Sequence, residues 1–113
     1  MMKNGSGKVN RFEVWLVGLD PTLGREINKT RPCVIVSPDE MSALSTIIIA
    51  PLTSKGFAHP GRVSTQFQGK EGLILLDQMR AVDKRRLYRK LGVINKATKT
   101  ALCDTLQEMF ACA

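Results

Sequence analysis

Residues 33–36, Cys-Val-Ile-Val, form a short β-branched run bounded by Pro32 on one side and Ser37-Pro38 on the other. Such a run reads as a buried strand, because β-branched side chains fit a pleated surface packed on both faces. Pro32 suits the first residue of a strand, since it has no N–H to give to a ladder. Arg31 then stands where a loop feeds into the core, either as an anchored surface charge or as a working one. A hydrophobic fraction of 43% in 113 residues is enough for one packed domain.

The other segments are also short and punctuated. Residues 11–21 alternate, with Phe12, Val14 and Leu16 on one side and Glu13, Trp15 and Val17 on the other, and end at the turn opener Asp20-Pro21. Residues 38–45 suit a short helical turn capped by Ser37, with Asp39 and Glu40 in its first turn. Residues 46–54 read as a second buried strand that leaves the core at Pro51 and presents Thr53 and Ser54. Residues 55–61 read as loop, 62–67 as a half-exposed strand and 68–72 as a turn. Residues 73–82 read as a strand bending near Asp77-Gln78, and 86–94 as a helical turn followed by a short strand. From Asn95 onward the pattern is one helix, with Leu102, Leu106, Met109 and Phe110 on one core-facing stripe. Many short strands and one terminal helix predict a small, strongly bent antiparallel barrel. Residues 1–10 are expected to be a flexible lead-in and 11–113 a single domain.

Charge and side-chain inventory narrow the chemistry. The formal net charge is +7, and between Arg80 and Lys99 eight Lys or Arg face the single acid Asp83. So dense a basic segment points to a polyanion or an acidic partner. One histidine, His59 beside the turn-forming Pro60-Gly61, makes a zinc site or a histidine-activated nucleophile a poor fit. No metal or cofactor is expected. Cys33, Cys103 and Cys112 form no CxxC pair and read as small buried hydrophobes of a reducing compartment. No apolar stretch is long enough to cross a bilayer, so a cytoplasmic protein is expected. Trp15 reads as a core or dimer contact rather than a platform for a base.

The ordered combination of "VWLVGLDPTLGREINKTRPCVIVSP", "APLTS" and "LLDQMRAVDKRRL" closely resembles the MazF/PemK (Kid) family of toxins from bacterial toxin–antitoxin pairs. The resemblance runs from about Phe12 to Gly92. It implies an SH3-like, CcdB/MazF-like barrel with a C-terminal helix, usually a homodimer. It also implies a sequence-specific, metal-independent endoribonuclease acting on single-stranded mRNA and neutralised by a cognate MazE-like antitoxin with an acidic tail. Metal-free cleavage needs no protein nucleophile, because the adjacent 2′-hydroxyl attacks the phosphate and leaves a 2′,3′-cyclic phosphate and a 5′-hydroxyl. The protein accepts that proton and stabilises the charge growing on the phosphoryl oxygens.

Carried over position by position, the resemblance assigns catalysis to Arg31, whose fork suits a phosphorane-like transition state, and to Thr53 beside it. Glu26 and Asp77 are candidates for acid–base work. Arg25, Lys29, Ser54, Lys55, Gln78, Arg80, Lys84, Arg85 and Arg86 are candidates for holding substrate, the last four through flanking phosphates. Two departures stand out: Kid-type members carry a histidine at the position of Arg25 and an arginine at that of Leu75. An Asp77 chemistry that used both groups is therefore not available here, whereas the Arg31–Thr53 pair is intact. Two alternatives remain: a CcdB-like gyrase poison, and a non-catalytic nucleic-acid-binding barrel.

Overall fold

The structure is a computed structural model that describes residues 8–19 and 30–112. Its strands are β1 (Glu13–Gly18), β2 (Thr30–Ile35), β3 (Thr46–Thr53), β4 (Arg62–Phe67), β5 (Lys70–Leu75), β6 (Arg80–Asp83) and β7 (Leu87–Val93), followed by helix α1 (Lys96–Phe110). Every strand pairing is antiparallel, and the sheet order is β4-β5-β3-β2-β1-β7 with β6 also on β3. The result is a curled antiparallel sheet, a half-barrel, with a C-terminal helix, as the punctuated short strands predict.

The β-branched run lies in the middle of this sheet. Cys33, Val34, Ile35 and Val36 are all buried, and β2 is flanked by β1 and β3. Alternation sends its side chains into two separate clusters. Val34 and Val36 join Val14, Ala50, Ile74, Ile94 and Leu102. Cys33 and Ile35 join Val17, Ile47, Ile49 and Val82 on the other face. A strand apolar on both faces is thus demanded by two cores, not one. Val9 is also buried, in the second cluster, so the packed chain begins inside the stretch expected as a lead-in.

Strand β3 changes partners along one edge. Thr46–Ile49 pair with β6, whereas Leu52 and Thr53 pair with β5. Pro51, which has no N–H to donate, falls near the changeover. The chain between β5 and β6 is a single 3₁₀ turn at Leu76–Gln78, which realises the bend expected at Asp77-Gln78. This turn carries Asp77 and Gln78 to the side of β3 on which Thr53 ends.

Several local expectations are corrected. Ser37 does not cap the 3₁₀ turn at Asp39–Ala43, where Pro38 holds the cap position with no side-chain bond. The buried Ser37 hydroxyl instead accepts from Ile48 N at 3.1 Å and ties β3 to the end of β2. The turn between β4 and β5 is shorter than residues 68–72, because Lys70–Gly72 already belong to β5. The helical turn expected at the start of 86–94 falls earlier, as a 3₁₀ turn at Lys84–Arg86, and β7 then runs for seven residues. Asn95 caps α1 as expected, its Oδ1 accepting from Thr98 N at 2.8 Å. Leu102 is fully buried and Leu106 packs against the first cluster. Met109 and Phe110 are exposed, Phe110 at 67%, so the apolar stripe outruns the sheet beneath it. Cys33 alone of the cysteines is buried, with its thiol pushed up to about 12 by burial, while Cys112 is exposed.

Candidate active site

Arg31 is the second residue of β2 and is exposed, paired with Val17 of β1. The β2–β3 register runs Ile35–Ile49, Val34–Ala50, Cys33–Pro51. Continued two residues outward, it sets Arg31 across from Thr53. Both line one cleft of about 730 Å³, together with Leu19, Pro32, Ser54, Lys55, Gly56, Arg62 and Gln78. The proximity expected from two adjacent strand ends is therefore present. Three cations and no acid line this cleft among the described residues. Such a wall suits an anionic, partly apolar ligand such as a phosphodiester strand.

Thr53 serves its own turn as well as facing the cleft. Its Oγ1 accepts from Lys55 N at 3.1 Å. Accepting that bond fixes one lone pair and leaves the hydroxyl hydrogen free to be donated elsewhere. The turn-forming and phosphate-binding roles are compatible in one side chain. Gly56 follows with φ +117°, a conformation glycine adopts without strain, and a Cβ there would lie 3.4 Å from Arg62 Nη1.

Arg62 is a cleft residue that inspection of the sequence alone missed. Its register partner is Leu75, the position where Kid-type members have an arginine. From across the strand pair, Arg62 Nε reaches Asp77 Oδ1 at 3.2 Å and Nη2 reaches Oδ2 at 3.4 Å. Its Nη1 donates to Phe57 O at 3.1 Å. The guanidinium also sits 5.0 Å from the Phe57 ring centroid. Only 12% of its side chain is exposed, so the fork is held on three sides.

Asp77 is bound into that arrangement, with His59 Nε2 at 3.6 Å from Oδ2. The hydrogen bond from Arg62, more than any other influence, holds the Asp77 carboxyl below the ordinary carboxylate value of 3.8. A carboxylate so stabilised is a weak base. Gln78, its neighbour, lines the cleft. His59 is more than a plain loop residue, since its Nδ1 also accepts from Gly61 N at 3.1 Å and shapes the turn into β4.

The remaining candidates are distributed differently. Ser54 and Lys55 line the cleft, and Ser54 also borders a polar groove of about 590 Å³ lined by Ser64, Gln66, Glu71 and Asn95, with no Lys or Arg in its wall. Arg80 is paired with Ile49, four residues back along β3 from Thr53. Lys84 follows Asp83, which pairs with Thr46 at the opposite end of β3, and its ammonium donates to Ser42 O. Arg85 is occupied by Asp83, whose carboxyl it lowers. Arg86 Nη1 donates to Gly18 O at 3.3 Å. The basic segment is thus dispersed rather than gathered at the cleft. Arg25, Glu26 and Lys29 lie outside the described residues. Trp15 donates its indole N–H to the buried Glu13 at 2.9 Å and packs on the second cluster, in keeping with a structural role.

Comparison with known proteins accords with this geometry. The family model described as "PemK-like, MazF-like toxin of type II toxin-antitoxin system" matches residues 10–110. The chain is 35% identical over 83 positions to endoribonuclease PemK of Escherichia coli, covering 68% of this chain and 62% of that protein. It is 31% identical over 110 positions to endoribonuclease MazF9 of Mycobacterium tuberculosis, covering 88% and 93% of the two chains. Its fold superposes with a TM-score of 0.74 on a mycobacterial endoribonuclease solved in complex with its cognate antitoxin, at 20% identity and with 93% and 97% of the chains covered. With a model matched over nearly its whole length and the strand ends that form its cleft in place, the chain belongs to the PemK-like, MazF-like toxin family of type II toxin–antitoxin systems.

Proposed function

We propose that this chain is an endoribonuclease toxin that cuts single-stranded RNA through the substrate's own 2′-hydroxyl. The observation that carries the reading is the shared cleft of Arg31 and Thr53, with Lys55 and Arg62 as further cations. The Arg31 fork donates to the non-bridging oxygens as negative charge accumulates on phosphorus. The Thr53 hydroxyl, already oriented by Lys55 N, donates to one of the same oxygens. Arg62 adds positive charge from the cleft wall, and Asp77 positions it. The reaction needs no metal, because the attacking oxygen is already next to phosphorus and the cations supply the charge. The candidate for accepting the 2′-hydroxyl proton is Glu26, and as the P–O5′ bond breaks the departing 5′-oxygen takes up a proton from solvent.

The three cations of the same cleft suit an acidic segment of a cognate antitoxin, and one protein of this fold is solved in complex with its cognate antitoxin. We place the protein in the cytoplasm as a homodimer; no described helix is long and apolar enough to cross a membrane. The test is incubation of the purified chain with a long, weakly structured RNA in EDTA, with 5′ ends mapped by primer extension. Wild-type protein should cut at a recurring short motif. Arg31→Ala and Thr53→Val should each lose on the order of 10²–10³ in rate. RNA left whole at high enzyme excess would overturn the reading.

A further inference from the structure

We propose that Phe57 is a substrate-binding residue that stacks on a nucleobase flanking the scissile phosphate, an inference resting on the endoribonuclease reading above. Phe57 is 70% exposed, more than any other large apolar residue among those described. Exposure alone would mean little, but this ring is held in place. Its carbonyl accepts from Arg62 Nη1 at 3.1 Å, the Arg62 guanidinium lies 5.0 Å from its centroid, and the His59 ring is tilted against it at 5.9 Å. The cation occupies one side of the ring, and the exposure belongs to the rest.

Position supplies the second argument. Ser54, Lys55 and Gly56, the residues immediately before Phe57, line the Arg31–Thr53 cleft, and so does Arg62 beneath its ring. Phe57 therefore stands at the rim of the place where the phosphate is held. A single strand whose backbone is clamped by cations has its bases splayed outward, and an aromatic face at the rim gives one of them a surface. The other aromatics are placed for other work. Trp15 is bonded to Glu13, Phe12 and Phe67 pack on the first core cluster, Tyr88 lies against Gly18 of β1, and Phe110 is in the last turn of α1. The π-face at this spot is sequence-tolerant, so Phe57 contributes hold on a flanking base and leaves the reading of base edges to polar neighbours.

The experiment uses the full chain and a short RNA carrying the mapped cleavage motif, with kcat and KM measured for Phe57→Ala, Phe57→Leu and Phe57→Trp. Loss of one stacked base corresponds to about a 5- to 150-fold rise in KM. That rise is expected for the Ala and Leu variants, with kcat within a few-fold of wild type and with Trp restoring KM. Leu keeps the apolar bulk without the π-face, and a melting curve of each variant shows that the exposed site tolerates the change. Unchanged KM in all three variants would overturn the proposal and leave the ring to a protein partner. A fall in kcat at constant KM would also overturn it, since Phe57 would then act by positioning Arg62. If wild-type protein leaves the RNA whole, the nuclease reading itself fails, and the role of Phe57 falls with it.

Discussion

Replacing Asp77 with Asn separates two roles that a carboxylate beside an arginine can play. The substitution keeps the shape of the side chain and one acceptor oxygen but removes the charge. Arg62 reaches the two carboxylate oxygens at 3.2 and 3.4 Å, and His59 lies at 3.6 Å. Hydrogen bonds to charged groups contribute about 1.5–3 kcal/mol when well formed. These are long, and 30% of the Asp77 side chain is exposed, so solvent screening brings the expected loss to about 1 kcal/mol. For a domain of this size that lowers Tm by about 4 °C. Arg62 would retain its bond to Phe57 O and its stacking on the ring. Cleavage by Asp77→Asn should therefore fall about 10-fold or less, with the pH–rate profile keeping its wild-type shape. A general base would behave otherwise, losing on the order of 10²–10⁴ in rate together with its acidic limb. Steady-state cleavage of a short RNA from pH 5 to 9 is the assay. A loss of that larger order, in protein that melts within a few degrees of wild type, would refute the positioning role.

Two further outcomes follow from packing and charge. Leu102→Ala, at a fully buried position of the first cluster, should cost about 2–5 kcal/mol in urea unfolding, whereas Phe110→Ser should stay within about 0.5 kcal/mol; equal losses would show that the last turn of α1 is packed after all. Asp77 and Asp83 are both held below the ordinary value of 3.8, chiefly by hydrogen bonds from Arg62 and Arg85. The unfolded chain then binds protons more readily than the folded one, so this stability is complete above that value and is lost as pH falls below it. Melts between pH 2 and 6 should show a flatter acid limb for Asp77→Asn combined with Asp83→Asn, and an unchanged slope would contradict the assignment.

What was legible in the sequence was whatever neighbouring residues decide. The β-branched run announced β2, though not its start at Thr30, two residues before Pro32, and Asn95 with the apolar spacing after it announced α1. The 3₁₀ break at Leu76–Gln78 showed as Asp-Gln inside an apolar stretch. What stayed hidden depended on register. That Arg62 lies across from Leu75 and reaches Asp77 follows from the β4–β5 pairing, which no local pattern states. Arg62 looked like the first residue of a half-exposed strand, and Phe57 like loop filler. The dispersal of Lys84, Arg85 and Arg86 was hidden for the same reason. A run of like charges seems a patch on paper, yet Asp83, the Ser42 carbonyl and the Gly18 carbonyl each take one of them. The Ser37 misreading was a competition between a helix cap and an amide of β3, which the strand won.

The central claim is that the substrate supplies the nucleophile while Arg31 and Thr53 stabilise the charge it creates. The most direct measurement uses one RNA oligonucleotide containing the mapped motif and its twin with a single 2′-deoxy sugar on the 5′ side of the scissile phosphate, both incubated with wild-type protein in EDTA. The account predicts that the all-ribose strand is cut to a 2′,3′-cyclic phosphate (or its opened form) and a 5′-hydroxyl, and that the twin stays whole while binding equally well. Cleavage of the twin, or fragments ending in a 5′-phosphate, would mean that water or a protein group attacks instead, and would contradict the account.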